Sequence, residues 1–397
     1  MIIRRAEKFQ VQTLNNISAR GIELFSPNLY DVKSEHENPH AILVRSANLL
    51  EMAPGSNLLV VGRAGAGTNN IPTEKLTSLG IPVFNTPGAN ANAVKELVLA
   101  GLLMSARNIP QSIEFVGSLD AASNNFSELV EGGKKKFAGF ELPGKTLGVI
   151  GLGMIGSLVA DVALKLGMRV IGFDPGITIE AAWSLPAGVS KASSIEDLAK
   201  KSDFLTLHVP LNESTRSLVN KELLSKMRKD SVVLNFSRGG VVDNGAISEA
   251  IEAGRLRQYI CDFPNPSLLG MRGVISLPHL GASTKEAEEN CALMVVSQII
   301  DYLDNGNVVN SVNFPRVLMP RESEFRLAII NANVPNMLGQ ISTALAEQGL
   351  NIHNMINNSS KEIALTLVDV DSPISDTTLE TIKGIEGVRS LRYLPRT

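Results

Sequence analysis

The chain of 397 residues has few of the features that mark proteins for export, for membranes or for nucleic acid. It has only 2 cysteines, Cys261 and Cys291, and neither lies in a CxxC motif, so a reducing compartment fits better than a disulfide framework. No apolar run approaches the ~18 residues of a membrane span, and the first residues, MIIRRAEKFQ, lack the apolar core of a signal peptide. A net charge of −3 indicates neither nucleic acid nor anionic lipid as a partner. We therefore expect a cytoplasmic protein, and we predict no metal site.

Apolar runs typical of buried strands alternate with helical patterns along most of the chain. The composition, 44% hydrophobic and 19% charged, is that of a globular protein, and the length suggests about two or three domains at ~100–200 residues each. The strand candidates are Ala41–Val44, Asn57–Val61, Pro82–Asn85, Phe204–Val209, Ser231–Phe236, Gln258–Asp262 and Val274–Leu277. Helical spacing of apolar residues marks Asn92–Arg107 and Ser283–Leu303. This alternation predicts an α/β protein.

The C-terminal part of the chain follows a different pattern. Gly306–Pro320 is rich in Asn and Pro and is typical of a linker. After it come the strand and helix candidates Phe325–Ile330, Met337–Gln348, Asn351–Ile356, Ile363–Val370, Thr377–Lys383 and Val388–Tyr393. Their order, βαββαβ, predicts a small ferredoxin-like unit.

A glycine motif between two apolar runs carries the most information in the chain. The strand candidate Thr146–Ile150 leads into Gly151, Gly153 and Gly156, and the next apolar run ends at Asp174. Such glycines permit a tight turn, the approach of a pyrophosphate and close packing of the helix that follows, whose free N–H groups attract phosphate. The acidic residue suits the ribose hydroxyls and repels a 2′-phosphate, so NAD is favoured over NADP. The alternative is a glycine-rich turn that binds no ligand.

Two later segments place reactive side chains at predicted strand ends. NFSRGGVVD (Asn235–Asp243) contains Arg238, whose guanidinium can donate two parallel hydrogen bonds to a carboxylate. PHLGAST (Pro278–Thr284) contains His279, and an imidazole suits the removal of a hydroxyl proton as hydride leaves the same carbon. In a doubly wound sheet, ligands bind beyond the carboxyl ends of the strands. The alternative is that each residue has an ordinary role: an isolated Arg at a strand end usually forms a surface ion pair, and an isolated His in a loop usually has no function.

Other histidines and a lysine run admit simpler interpretations. His208 also ends a strand candidate, where a structural role and a cofactor-lining role are both open. His36 and His40 lie in a polar loop and are expected to be solvated. The run Lys134–Lys136 is either a solvated turn or a phosphate clamp.

GLGMIG with Asp174, NFSRGGVVD and PHLGAST together resemble the D-isomer-specific 2-hydroxyacid dehydrogenase family, and with the C-terminal unit the resemblance spans nearly the whole chain. It implies an α/β fold with a Rossmann-type nucleotide-binding domain, a discontinuous flavodoxin-like substrate domain and a C-terminal ferredoxin-like (βαββαβ) ACT domain. The implied boundaries are 1–92 for the first part of the substrate domain, 93–281 for the NAD-binding domain, 282–310 for the helix completing the substrate domain, 311–322 for a linker and 323–397 for the ACT domain.

The resemblance also implies roles for individual residues. Arg238 would hold the substrate carboxylate and carbonyl, and His279 would act as the acid/base. The NAD-binding residues would be Gly151, Gly153, Met154, Ile155, Gly156, Asp174, His208, Val209, Pro210, Phe236, Ser237, Arg238, Asp262, His279 and Gly281. The residues for the substrate carboxylate and phosphate would be Arg45, Ser46, Gly65, Ala66, Gly67 and Asn90, with Lys134 as a further candidate.

One departure from the family pattern concerns the partner of the histidine. The family pairs its catalytic His with a Glu in a segment like DVFxxEP, whereas this chain has the shorter Asp262–Ser267, DFPNPS. No Asp or Glu occurs from Phe263 through Pro278. Such a carboxylate normally fixes the imidazole tautomer and stabilises its cation. Either a side chain from elsewhere replaces it, or His279 works unassisted, with Asn265 only orienting it.

The resemblance implies oxidation of (2R)-3-phosphoglycerate to 3-phosphooxypyruvate with NAD, a reaction that opens serine synthesis. The alternatives are a reductase of hydroxypyruvate, glyoxylate or another 2-keto acid, and a non-catalytic NAD-sensing interaction protein. In the ACT-like unit, Asn331, Asn333 and Asn351 fall where relatives bind serine, and a purely dimerising module is the other interpretation. A homodimer or homotetramer is expected.

Overall fold

The computed structural model describes residues 2–4 and 8–396. It forms two compact units, one of Met1–Ala89 with Lys285–Thr397 and the other of Asn90–Thr284. The α/β fold class expected from the sequence is confirmed by the sheets of both units. The domain boundaries stay predictions, because the C-terminal residues belong to the same compact unit as the N-terminal ones.

The N-terminal part of the first unit is built on a parallel sheet. Its elements are β1 (Ile2–Arg4), β2 (Phe9–Leu14), α1 (Ala19–Ile22), β3 (Tyr30–Lys33), β4 (Ala41–Val44), β5 (Val60–Arg63), α2 (Thr73–Ser78) and β6 (Val83–Phe84). The strand order β3-β2-β4-β5-β6 is that of flavodoxin-like sheets. The sequence did not predict β2, because FQVQTL buries only one of its faces well and lacks the continuous apolar run of β4.

The second unit is a doubly wound nucleotide-binding fold. Its helices are α3 (Ala91–Arg107), α4 (Ile109–Gly117), α5 (Phe126–Gly133), α6 (Met154–Lys165), α7 (Ile179–Trp183), α8 (Ile195–Lys201), α9 (Lys221–Lys226) and α10 (Asn244–Glu252). Its strands are β7 (Thr146–Ile150), β8 (Arg169–Phe173), β9 (Val189–Lys191), β10 (Phe204–Leu207), β11 (Ser231–Asn235), β12 (Leu256–Cys261) and β13 (Val274–Ser276). All pairs in the order β13-β12-β11-β10-β7-β8-β9 are parallel. The order reverses between β7 and β10, which is where such sheets bind ligands.

The remaining elements complete the first unit. They are α11 (Lys285–Asn305), β14 (Phe325–Ala332), α12 (Met337–Ala346), β15 (Ile352–Ser360), β16 (Ile363–Val370), α13 (Asp376–Lys383) and β17 (Val388–Pro395). The βαββαβ order is the one expected from the sequence, and the sheet order is β1-β17-β14-β16-β15. The N-terminal β1 pairs in parallel with β17, and no local sequence pattern predicts this pairing.

Helix α11 packs against both sheets of the first unit. A Cβ at Gly62 of β5 would lie 2.6 Å from side-chain atoms of Val295 and Ile299, so the helix touches the strand backbone directly. The same hydrophobic core contains Tyr302 of the helix and Leu394 of β17. The segment suggested as a linker is part of this core, since the backbones of Val308 and Val317 form two hydrogen bonds and both residues are fully buried.

Two expectations about the N-terminal histidines were wrong. The side chain of His36 is only 7% exposed, and its Nε2 lies 3.0 Å from the backbone oxygen of Asp31. His40 is half-buried against Phe9, and its Nδ1 accepts a hydrogen bond from the Gln10 N–H. Burial lowers the pKa of His40, so this imidazole is neutral near pH 7. Among the residues that the structure describes, no helix is long and apolar enough to cross a bilayer.

Candidate active site

The glycine loop of the second unit has the shape that a dinucleotide requires. Gly151 has φ +86°, and a Cβ there would lie 2.5 Å from the His208 carbonyl oxygen. A Cβ at Gly156 would lie 1.9 Å from the Gly151 oxygen, so only glycine lets α6 start so close to β7. At Gly153 the same position has no heavy atom within 4 Å. That open space lies at the N-terminus of α6, where free N–H groups suit a pyrophosphate.

Asp174 directly follows β8 and stabilises the glycine loop. One carboxylate oxygen accepts a hydrogen bond from the Leu152 N–H at 2.8 Å, and the other accepts from Gly176 at 3.0 Å. The carboxylate is thereby fixed beside the glycines, where it can accept ribose hydroxyls. Met154, the first residue of α6, is 60% exposed, although an apolar side chain is usually covered. This placement fits a residue that covers part of a bound cofactor.

The turn after β11 is organised by Asn235. Its side-chain oxygen accepts hydrogen bonds from the N–H and hydroxyl of Ser237, and its amide donates to the Arg238 carbonyl and to the Tyr259 hydroxyl. The Arg238 guanidinium uses Nη1 to reach the Ser237 carbonyl at 2.6 Å. In the described part of the chain its other donors have no partner, so they can bind a carboxylate.

The histidine loop closes on Asp262, which follows the neighbouring strand β12. The His279 N–H donates to the Asp262 carbonyl at 2.8 Å, and the Gly281 N–H donates to the Asp262 carboxylate at 3.0 Å. Between these bonds His279 adopts φ +29°, a left-handed conformation unusual for a residue with a side chain. Its imidazole is exposed and packs at 4.7 Å, ring centre to ring centre, against Phe263. The loop thus presents the imidazole to solvent at the carboxyl edge of the sheet.

Two buried polar atoms at this edge lack partners among the described residues. They are the second carboxylate oxygen of Asp262 and Nδ1 of His208. Burial raises the pKa of Asp262, against the opposing effects of the Gly281 N–H and of the charges on His279 and Arg238. Desolvation lowers the pKa of His208 to about 3, while its Nε2 lies 3.0 Å from the Thr206 hydroxyl. Orphaned buried polar atoms are rare unless a ligand meets them, so this edge fits a nicotinamide cofactor.

Among the described residues, no carboxylate forms an ion pair with His279. Asn265 does not orient the imidazole, because its side chain caps Ser267 within its own turn. Asp262 is the acidic residue whose backbone and side chain both hold the histidine loop.

The predicted substrate residues of the first unit surround the carboxyl ends of β4 and β5. Arg45 follows β4, and its guanidinium lies 2.8 Å from the Glu288 carboxylate. The Arg45 carbonyl accepts a hydrogen bond from Arg63, and the Ser46 N–H donates to Asn15. In the turn Gly65–Gly67, the carbonyls of Gly65 and Ala66 are bound by Thr86 and Asn85. The structure thus brings Arg45, Ser46 and this turn together.

The remaining predicted residues differ in their surroundings. Asn90, which begins the second unit, has a buried side-chain oxygen without a partner in the described chain. Lys134 is exposed and pairs with Glu131, which favours a solvated turn over a phosphate clamp. Asn331 is 1% exposed and donates to the Ala332 carbonyl, whereas Asn333 and Asn351 are exposed.

Comparison with known proteins identifies relatives of this chain. The NAD binding domain of D-isomer specific 2-hydroxyacid dehydrogenases matches residues 99–281. D-3-phosphoglycerate dehydrogenase of Haemophilus influenzae is 34% identical over 384 residues, covering 92% of this chain and 88% of that protein. D-3-phosphoglycerate dehydrogenase of Methanocaldococcus jannaschii is 38% identical over 301 residues, covering 74% of this chain and 54% of that protein. The NAD⁺-bound 3-phosphoglycerate dehydrogenase of Entamoeba histolytica has a similar fold, with TM-score 0.60 and 24% identity over 77% of this chain and 99% of that one.

The first prediction concerns the exposed imidazole. His279→Ala should lower kcat by ~10²–10⁴, as the loss of a general base usually does, with little change in NAD affinity. Steady-state kinetics and NAD titration measure both. The matched control is His353→Ala, which removes a second exposed imidazole from the C-terminal sheet. Activity of the His279 variant within a few-fold of the control would remove His279 from the chemistry.

The second prediction concerns cofactor choice. Asp174→Ala should lower the ratio of kcat/KM with NAD to kcat/KM with NADP. The substitution weakens the contact with the NAD ribose and removes the repulsion of the 2′-phosphate of NADP. Asp174→Asn keeps an acceptor for the Leu152 N–H and so separates charge from loop support. Asp161→Ala on α6 is the control. A native enzyme that used both cofactors equally well would show that Asp174 has another role.

Proposed function

Because this chain belongs to the D-isomer-specific 2-hydroxyacid dehydrogenase family, we propose that it oxidises (2R)-3-phosphoglycerate to 3-phosphooxypyruvate with NAD⁺. The observation that carries the proposal is the position of Arg238, Asp262 and His279 beyond the carboxyl ends of three neighbouring strands, β11, β12 and β13. The glycine loop follows β7 at the same edge of this parallel sheet. These residues supply a carboxylate clamp, a loop support and a proton acceptor at one edge of the sheet.

The chain's own residues account for the parts of the reaction other than hydride acceptance. The free guanidinium donors of Arg238 hold the substrate carboxylate and lie ready to polarise the carbonyl that forms at C2. The exposed imidazole of His279 takes the proton of the C2 hydroxyl. NAD⁺, when bound, accepts the hydride from C2. Burial lowers the pKa of His208 to about 3, so this imidazole is neutral and would add no positive charge to a site that holds the cationic NAD⁺.

Arg45 and Ser46 are proposed to bind the anionic groups of the substrate. Arg45 stands at a carboxyl strand end, and its backbone is fixed by Arg63 and Asn70. A fixed guanidinium with further donors suits a phosphate or a carboxylate. In the turn Gly65–Gly67, Ala66 and Gly67 add backbone N–H groups, whereas the Gly65 N–H is bound to the Arg63 carbonyl.

The C-terminal unit is proposed to regulate the enzyme by binding an amino acid such as L-serine. Asn333 and Asn351 are exposed. The Asn333 amide nitrogen donates to the Lys361 carbonyl at 3.0 Å, so its side-chain oxygen is the atom that could meet the ammonium of such a ligand. The buried Asn331 is less suited, because its amide is used within the chain. A homodimer or homotetramer in the cytoplasm completes the proposal.

A panel of 2-hydroxy acids tests the proposed function. With NAD⁺, NADH formation from (2R)-3-phosphoglycerate should exceed that from (2R)-glycerate by ~10²-fold or more in kcat/KM, because a site built for phosphate leaves polar groups unpaired without it. The (2S) isomer is the control for handedness and should be inactive. Equal rates with glycerate or D-lactate would instead identify a reductase of unphosphorylated 2-keto acids.

A further inference from the structure

The C-terminal end of α11 is held by arginines from the chain that follows it. A helix leaves its last four carbonyls without helical partners. Here Arg392 of β17 donates to the carbonyls of Tyr302 and Leu303 at 2.9 and 2.7 Å. Arg321 donates to Asp304 at 3.0 Å, and Arg326 of β14 donates to Asn305 at 3.2 Å. The backbone carbonyl of each of the last four residues of α11 therefore accepts a hydrogen bond from a guanidinium.

Burial makes this attachment hard to break. Arg326 is 0% exposed and pairs with the equally buried Asp369 at 2.6 Å. Arg392 is 2% exposed and has no carboxylate partner among the described residues. Its charge is met by the negative end of the helix dipole and by the ring of Tyr302, 4.6 Å away. Separating α11 from the C-terminal sheet would break these hydrogen bonds and open the hydrophobic core that the two share, so the helix end and the sheet move together.

The N-terminal end of α11 contacts Arg45, the arginine proposed to bind substrate. Glu288 in the first turn of the helix pairs with Arg45 at 2.8 Å, and the next residue, Glu289, pairs with Arg20 at 2.8 Å. The helix has 21 residues and spans ~30 Å. One rigid element thus connects the C-terminal sheet with Arg45.

Tight packing couples α11 to the parallel sheet. A Cβ at Gly21 would lie 2.6 Å from Ala292, and a Cβ at Gly62 would lie equally close to Val295 and Ile299. Gly62 precedes Arg63, whose side chain donates to the Arg45 carbonyl. A displacement of the helix must therefore shift both the backbone and the side-chain contacts of Arg45.

We propose that Glu288 is a positioning residue for Arg45, and that α11 makes this positioning depend on the C-terminal βαββαβ unit. The inference rests on the proposed function, in which Arg45 receives an anionic group of the substrate. A ligand that shifts the C-terminal sheet would carry the helix with it through Arg392 and Arg326. The shift would reach Arg45 through Glu288 and change substrate affinity.

Substitutions at Glu288 test the local part of the proposal. Glu288→Ala should raise the KM for (2R)-3-phosphoglycerate about 2–5-fold, as expected for an ion pair at the surface, with smaller changes in kcat and in the KM for NAD. Glu288→Gln keeps an acceptor for the guanidinium and should restore most of the affinity. Glu286→Gln, on the exposed face of the same turn, is the control. An unchanged KM in Glu288→Ala would overturn the role of Glu288.

A double-mutant cycle tests the connection through the helix. Arg392→Met in the full chain should raise the same KM in the wild-type background but have no further effect beside Glu288→Ala, because both act on Arg45 through one path. Arg389 is an exposed arginine of the same strand, and Arg389→Met should leave this KM unchanged in both backgrounds. Independent, multiplying effects on KM, or no effect of Arg392→Met, would overturn the coupling. If Arg392→Met does not fold, Arg392→Lys, which reaches fewer carbonyls, takes its place in the cycle.

A readout without catalysis separates this inference from the proposed function. If the wild-type protein forms no NADH from (2R)-3-phosphoglycerate, the proposed function fails. Amide hydrogen exchange in Arg392→Met then still tests the helix. Faster exchange in the second turn of α11, which follows Glu288, as well as in the last turn supports the coupling. Faster exchange confined to the last turn, Tyr302–Asn305, contradicts it.

Discussion

The buried carboxylate of Asp262 is the interaction on which the catalytic edge depends. It follows β12, and its backbone and side chain together take the N–H groups of His279 and Gly281. These two bonds hold the histidine in a left-handed turn that it would otherwise avoid. Without them the loop would relax and the imidazole would leave the strand ends. The histidine loop therefore keeps its support from Asp262, although the shortened segment that follows lacks the family's Glu.

In the first unit, the contacts of α11 have a similar supporting role. Its two sheets share one hydrophobic core with α11, and the buried arginines fix the helix end to the C-terminal sheet. Moving the C-terminal sheet away from α11 would break these hydrogen bonds and open the shared core.

Local motifs predict the parts of the site that lie within a few residues of each other. The glycine loop, Asp174, Arg238 and His279 could be proposed from the sequence because each belongs to a short pattern that follows a strand candidate. Glu288 and Asn235 were missed, since their partners become visible only when distant segments or a buried turn are folded. His36 and His40 were misjudged for the same reason: a polar sequence gave no sign that Asp31 and Phe9 would cover them.

Hydride transfer from C2 of a phosphorylated 2-hydroxy acid is the central claim, and isotope transfer tests it most directly. The protein is incubated with NAD⁺ and (2R)-3-phosphoglycerate that carries deuterium at C2, and the reduced cofactor is analysed by mass spectrometry. The account predicts that each molecule of reduced cofactor carries the deuterium of the substrate. Reduced cofactor without deuterium, or none formed above the rate without protein, would contradict it.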